Sequence, residues 1–180
     1  MLTITIPETE EFNEATGEFV YTKAQTLQLE HSLVSISKWE SKWCKPFLGK
    51  QEKTSEEVID YIKCMTLNKN ISDDVYNCLT QSNITAINEY IGAPMTATYF
   101  SNNERGKRNS EQITSELIYY WMIALNIPFE CQKWHINRLL TLIRVCNVKN
   151  APPKKMSKRE IISRNAALNA ARRQQLNTKG

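Results

Sequence analysis

The stretch LEHSLVSISKWESKWCKPFL, residues 29–48, decides the fold, because the apolar period changes inside it. Just upstream, TLQLEH from Thr26 to His31 alternates apolar and polar side chains, the two-residue period of a half-buried strand. From there Leu29, Leu33, Ile36, Trp39 and Trp43 recur every three or four residues, the period of a helix. Lys45-Pro46 ends that helix, since the residue before proline is pushed out of the α region.

Working outward towards the N-terminus, LTITI alternates around β-branched residues and stops at Pro7. EFNEATGEFVY then sets Ala15-Thr16-Gly17 between two short extended runs. Residues 1–30 therefore predict a small antiparallel sheet that contains a hairpin.

Towards the C-terminus the helical period dominates. Thr54-Ser55-Glu56-Glu57 is a capping box, in which the threonine hydroxyl takes the N3 amide while the glutamate reaches back, and Val58, Ile59, Ile62 and Met65 follow as an apolar face. Capped helices are also expected from Ser72 and from near Ser82, the second aligning Ile84, Ile87 and Ile91 and ending at Gly92 and Pro94. SNNERGKRNS, residues 101–110, has no apolar residue and reads as an exposed loop. Two stronger helices are predicted from Glu111 to Leu125 and from Phe129 to Cys146, with Asn126-Ile127-Pro128 between them. Their core faces are read as Ile113, Leu117, Tyr120 and Ala124 in the first, and Ile136, Leu139, Leu140, Ile143 and Cys146 in the second. So short a connection predicts antiparallel neighbours.

The expected fold is thus mainly α: a helical domain with a small N-terminal antiparallel β element and a basic C-terminal helix. Its organisation is read as a β element over 1–30, a helical core over 31–147, a linker over 148–156 and a basic helix or tail over 157–180.

With 180 residues, 41% of them hydrophobic and 23% charged, the chain has the composition of a globular domain. Its net charge of +4 conceals an asymmetry. Residues 151–180 carry eight Lys/Arg and one Glu, a net of +7, which leaves fifteen Lys/Arg and eighteen Asp/Glu, a net of −3, in residues 1–150. Cys44, Cys64, Cys78, Cys131 and Cys146 show no paired spacing, and the N-terminus has neither the basic start nor the apolar run of a signal sequence. Reduced thiols and a cytosolic setting are expected, with no membrane span.

Few residues point to chemistry. His135 follows Cys131 by four positions on the predicted helix, but two ligands do not make a zinc site and no second pair has compatible spacing. His31 reads as a boundary residue at a strand end. No phosphate-cradling, dinucleotide, nucleophile-elbow or metalloprotease motif occurs, and five glycines offer little material for one. The acidic residues from Glu8 to Glu18 fall on an exposed hairpin, where carboxylates stay ionised. No catalytic residue, metal or cofactor is expected.

The C-terminal segment is more informative. Ser157-Lys158-Arg159-Glu160 has capping-box spacing and is followed by good helix formers to about Gln175, yet the only bulky apolar residues there are Ile161, Ile162 and Leu168. A helix with so little to bury is marginal by itself in water. It calls for a surface to complete it. Lys154, Lys155, Lys158, Arg159, Arg164, Arg172 and Arg173 would suit a nucleic-acid backbone, but the segment has no aromatic residue for base stacking and the body is acidic. A membrane would demand a bulkier apolar face. A polypeptide partner, either another protein or a second copy, is the expected one. The residues chosen for that contact are Ile161, Ile162, Leu168, Arg172 and Arg173 of the tail, with Trp39 and Trp43, which alternate with Lys38, Glu40 and Lys42 and are expected to be only partly buried.

The stretches LEHSLVSISKWESKWCKPFL and ITSELIYYWMIALNIPFECQKWHINRLLTLIRVCN (113–147), with the PPKKMSKRE run at 152–160, resemble the tail assembly chaperones of long-tailed, siphovirus-type bacteriophages. The resemblance covers most of the chain and is one of texture, without a catalytic motif. It implies a non-enzymatic protein of the host cell cytoplasm, absent from the mature virion. Such a protein coats the tape measure protein, helps recruit tail tube subunits and self-associates. In many such phages a programmed frameshift appends a second domain to part of the product, and this chain would be the shorter form. A structural component of the virion at the head–tail junction or tail is the second reading, and a nucleic-acid-binding protein acting through the basic tail is the third.

Overall fold

The computed structural model of the chain describes residues 1–13, 18–100, 112–152 and 157–177. Four strands come first: β1 (Leu2–Ile6), β2 (Thr9–Asn13), β3 (Glu18–Thr22) and β4 (Gln25–Leu29). β1 pairs antiparallel with β4 and β2 with β3. Leu2 faces Leu29 and Asn13 faces Glu18, so one register runs through both ladders. The interruption falls at Pro7 and Glu8 opposite Lys23 and Ala24, where proline has no N–H to give a ladder. The turn expected at 15–17 lies outside the described residues.

Alternation does what the sequence expects of it. Ile4, Ile6, Leu27 and Leu29 all point into the core, while Thr3, Thr5, Thr26 and Gln28 point outward. The free edge of β4 is covered by the chain leaving the second helix. Glu30 N–H donates to the Met65 carbonyl at 3.0 Å and Leu67 N–H donates to the Gln28 carbonyl at 2.8 Å. Asn68 Oδ1 accepts the Gln28 N–H at 2.7 Å.

The helices are α1 (Leu33–Trp43), α2 (Ser55–Met65), a single turn α3 (Asp74–Asn77), α4 (Gln81–Gly92), α5 (Ser115–Ala124), a 3₁₀ segment at Phe129–Lys133, α6 (Ile136–Asn150) and α7 (Lys158–Leu176). The fold is mainly α with a small N-terminal antiparallel element. By contact density the chain forms two units, 1–147 and 148–180. α6 continues to Asn150, so the stretch read as a linker begins while the chain is still helical.

Local signals set most helix starts. Thr54 and Glu57 form the expected capping box on α2, and Ser32 with Ser35 forms another on α1. α1 ends with Cys44 in the left-handed region at φ 51°, its N–H donating to the Glu40 carbonyl. α4 starts at Gln81 with Thr80 as its cap and stops at Gly92. The helix expected from Ser72 shrinks to one turn, because the Ser72 hydroxyl bonds the Asp74 carboxylate at 3.0 Å instead of capping the backbone.

Three expectations about faces and partners are corrected. On α2 the buried side is Glu57, Asp60, Tyr61, Ile62 and Met65, which leaves Val58 at the surface. On α5 the buried side is Ser115, Ile118 and Met122, so the stripe read as its core face points outward: Ile113 is 39% and Tyr120 63% exposed. α5 is apolar on nearly every side, so periodicity could not choose between them. Its principal neighbour is α1, where the short connection had predicted α6. The predicted helix from Phe129 to Cys146 breaks at Trp134 and His135. There His135 bridges to Ser32, and Ile136 N–H donates to the His31 carbonyl at 2.8 Å. A pairing with a segment a hundred residues away replaces the local helix. Beyond the break, Ile136, Leu139 and Ile143 are buried as expected. The 101–110 loop lies outside the described residues.

Candidate partner-binding surfaces

α7 owes its helicity to local chemistry. Glu160 N–H donates to Ser157 Oγ at 3.2 Å, Ser157 N–H donates to Glu160 Oε2 at 2.7 Å, and Asn177 closes the other end at φ 52° with its N–H on the Arg173 carbonyl. No residue of this 19-residue helix is buried. Ile161 is 44% exposed, Ile162 69% and Leu168 46%. Ile161, Leu168 and Arg172 stand at i, i+7 and i+11, so they share one side, while Ile162 and Arg173 lie about a quarter-turn away. The apolar residues therefore form no single broad stripe. Leu176, not among the residues chosen for partner contact, is 70% exposed at the end of the helix.

The two tryptophans chosen with the tail part company. Trp39 is 1% exposed, its Nε1–H donates to the Glu57 carbonyl at 2.8 Å, and Phe47 meets its ring edge-on at 5.2 Å. It is a core residue with no ring face at the surface, contrary to the partial burial expected from its charged neighbours. The cause is α2, which packs on α1 along this side. Trp43 is half-buried and stacks beside Trp39 with centroids 6.3 Å apart. Its Nε1–H donates to Asp60 Oδ2 at 2.9 Å, and the Lys42 and Lys45 ammonium groups lie 5.7 and 5.9 Å from its ring centroid.

The outward side of α5 is a surface that sequence reading missed. It carries Tyr120, Ile123 at 61% exposure and Ala124, with Glu116 at its N-terminal end. Phe129, 52% exposed, extends it past Tyr119, the two rings standing 6.4 Å apart. The available signal was the excess of apolar residues in SELIYYWMIA over what one buried stripe can use.

The residues with chemical potential lie together inside the body. The two histidines meet edge to face, with centroids 5.0 Å apart. His31 Nδ1 is hydrogen-bonded to the Tyr61 hydroxyl, which stands 3.4 Å from Ser35 Oγ. His135 Nε2–H donates to the Tyr90 carbonyl at 3.0 Å, and its Nδ1 accepts the Asn137 N–H at 3.3 Å. Burial, then the neighbouring His135, lowers the pKa of His31 to about 3. Burial likewise pushes His135 down and the Tyr61 phenol up. Both rings are therefore neutral, and each of these groups is spent on an internal bond.

A cleft of about 400 Å³ between the hairpin and α3 is lined by Tyr21, Lys23, Ala24, Gln25, Ser72, Asp74 and Val75, and one of about 190 Å³ sits beside Glu40, Cys44 and Glu116. Neither is lined by a member of the histidine cluster. Cys131 falls on the 3₁₀ segment and His135 at the bridge, so the i, i+4 face that would have shown both to a metal does not form. Among the described residues no group of three or more His, Cys, Asp or Glu is placed to hold a metal ion, and no helix is long and apolar enough to cross a membrane. Comparison with protein families, with curated proteins and with solved structures returns no match for this chain.

Proposed function

We propose that the chain is a non-enzymatic phage tail assembly chaperone that binds the tape measure protein and helps recruit tail tube subunits. The observation that carries this reading is α7: a doubly capped helix of 19 residues with no buried side chain, exposing Ile161, Ile162 and Leu168 among cations. A helix of that length with no buried side chain gains most from contact with another polypeptide. The amphipathic segments of a long tape measure protein are such surfaces. The resemblance of residues 29–48 and 113–147 to tail assembly chaperones supports the choice of partner, and self-association fits a protein that coats an extended chain.

Co-expression tests it. The full chain raises the soluble yield of a siphovirus-type tape measure protein expressed with it, and removal of residues 151–180 abolishes the gain. An unchanged yield with the full chain overturns the reading. Mass spectrometry of purified particles separates it from the structural alternative, because a chaperone is absent from the finished virion and a head–tail or tail component is present.

A further inference from the structure

α5 and α7 are each incomplete, and their chemistry is complementary. α5 turns Ser115, Ile118 and Met122 inward and is left with Tyr120, Ile123 and Ala124 outward, continued by Phe129 and bounded by the Glu116 carboxylate. The flank is held in place, since the Tyr119 hydroxyl donates to Gln132 Oε1 at 2.9 Å. An apolar helix face that stays wet, next to a carboxylate, suits a helix that carries aliphatic side chains and a guanidinium.

We propose that this face of α5 docks the α7 helix of a second copy of the chain. The spacing on the two helices fits an antiparallel seat. Glu116 and Tyr120 are four residues apart, about 6 Å along a helix, and so are Leu168 and Arg172. With Leu168 against Tyr120, Arg172 meets Glu116, and Ile161, about 10 Å further along α7, reaches the Phe129 end. Small Ala171 lies about a quarter-turn from this side of α7 and leaves that edge of the contact open to close approach. Charge selects the occupant: residues 1–150 carry −3 and residues 151–180 carry +7, so the body of one copy attracts the tail of another.

The contact joins two different surfaces, so two copies either exchange α7 helices reciprocally and close as a dimer or leave one α5 face and one α7 open and extend into a chain or a ring. It does not depend on the chaperone reading. Its failure would appear in the association of the pure protein, whereas failure of that reading appears in tape measure solubility.

Sedimentation velocity on the full chain over a range of concentrations tests the proposal. The unaltered protein forms species larger than a monomer, and they shrink as salt is raised. Ile123→Glu on the face, or Leu168→Glu on the helix, each weakens association by about tenfold or more. Both positions are exposed, and circular dichroism checks that each variant keeps its fold. An equal mixture of the two variants then forms one-to-one dimers that grow no further, because each supplies the surface the other has lost. Glu116→Arg weakens association, and Arg172→Glu in the partner restores it. A chain that stays monomeric at every concentration, as it would with α7 seated on its own body, overturns the proposal. So does assembly that is unchanged in both glutamate variants, or a mixture that fails to pair while the unaltered chain assembles, as for a contact between two α7 helices.

Discussion

His31 and His135, separated by more than a hundred residues, meet edge to face at 5.0 Å where the β-hairpin, α1 and α6 converge. Each is bonded as a neutral ring. His135 donates from Nε2 to the Tyr90 carbonyl and accepts the Asn137 N–H at Nδ1, so a second proton at Nδ1 would face an N–H. The Glu30 carboxylate, which bonds the Tyr90 hydroxyl at 2.7 Å and pairs with the terminal amine at 2.9 Å, offsets part of the burial cost at His135 but does not reverse it. In the unfolded chain both rings take up protons below about 6.5, whereas folded His31 does so only near 3. Between those values the unfolded state binds more protons. The stability that depends on neutral His31 is therefore complete above about 6.5 and is lost as pH falls towards 3, at up to about 1.4 kcal/mol per pH unit. Urea unfolding at a series of pH values should show this loss, and His31→Gln should flatten the slope between pH 6.5 and 4.

Glu40 ties three segments together from within the body. Its Oε1 accepts the Phe47 N–H at 2.7 Å and its Oε2 accepts the Ser115 N–H at 2.7 Å, so a carboxylate of α1 sits on the first turn of α5. Glu40→Ala strands two buried N–H groups and should cost about 2–5 kcal/mol. Glu40→Gln keeps one acceptor and should cost about half as much. Chemical denaturation measures both, and equal losses would show that the charge, not the number of acceptors, decides.

Trp39 and Trp43 should separate on truncation. Trp39→Ala removes a fully buried ring and leaves the Glu57 carbonyl without its donor, for a loss of about 3–5 kcal/mol. Trp43→Ala removes a half-buried ring and should lose about half of that. Thermal or urea unfolding of the two variants decides the order, and equal losses would contradict the burial difference seen here.

Much of the fold was legible locally. Four residues suffice to write a cap, and Thr54 with Glu57 and Ser157 with Glu160 both form the boxes their spacing predicts. The alternation in LTITI and TLQLEH put Ile4, Ile6, Leu27 and Leu29 on one side of a paired ribbon. Among the contact residues, the exposure of Ile161, Ile162 and Leu168 was equally legible, because no spacing of residues in α7 builds a stripe broad enough to bury. The outward face of α5 was not. SELIYYWMIA is apolar around its circumference, and which side turned inward depended on the α1 surface it met.

The order of residues determined by itself the alternating strands of the N-terminal ribbon, the capped starts of α2 and α7, where the charge lies and that the last helix has few bulky apolar residues to bury, since these are written in short stretches of the chain. Tertiary structure alone decided that Trp39 is core, that His135 leaves a helix to bridge Ser32 beside His31, and that α5 shows Tyr120 and Ile123 to solvent. Those outcomes rest on contacts between segments that meet only after the chain has closed loops of tens of residues. Local pattern allows several such closures, and the one that buries the most apolar surface with its polar groups still bonded prevails.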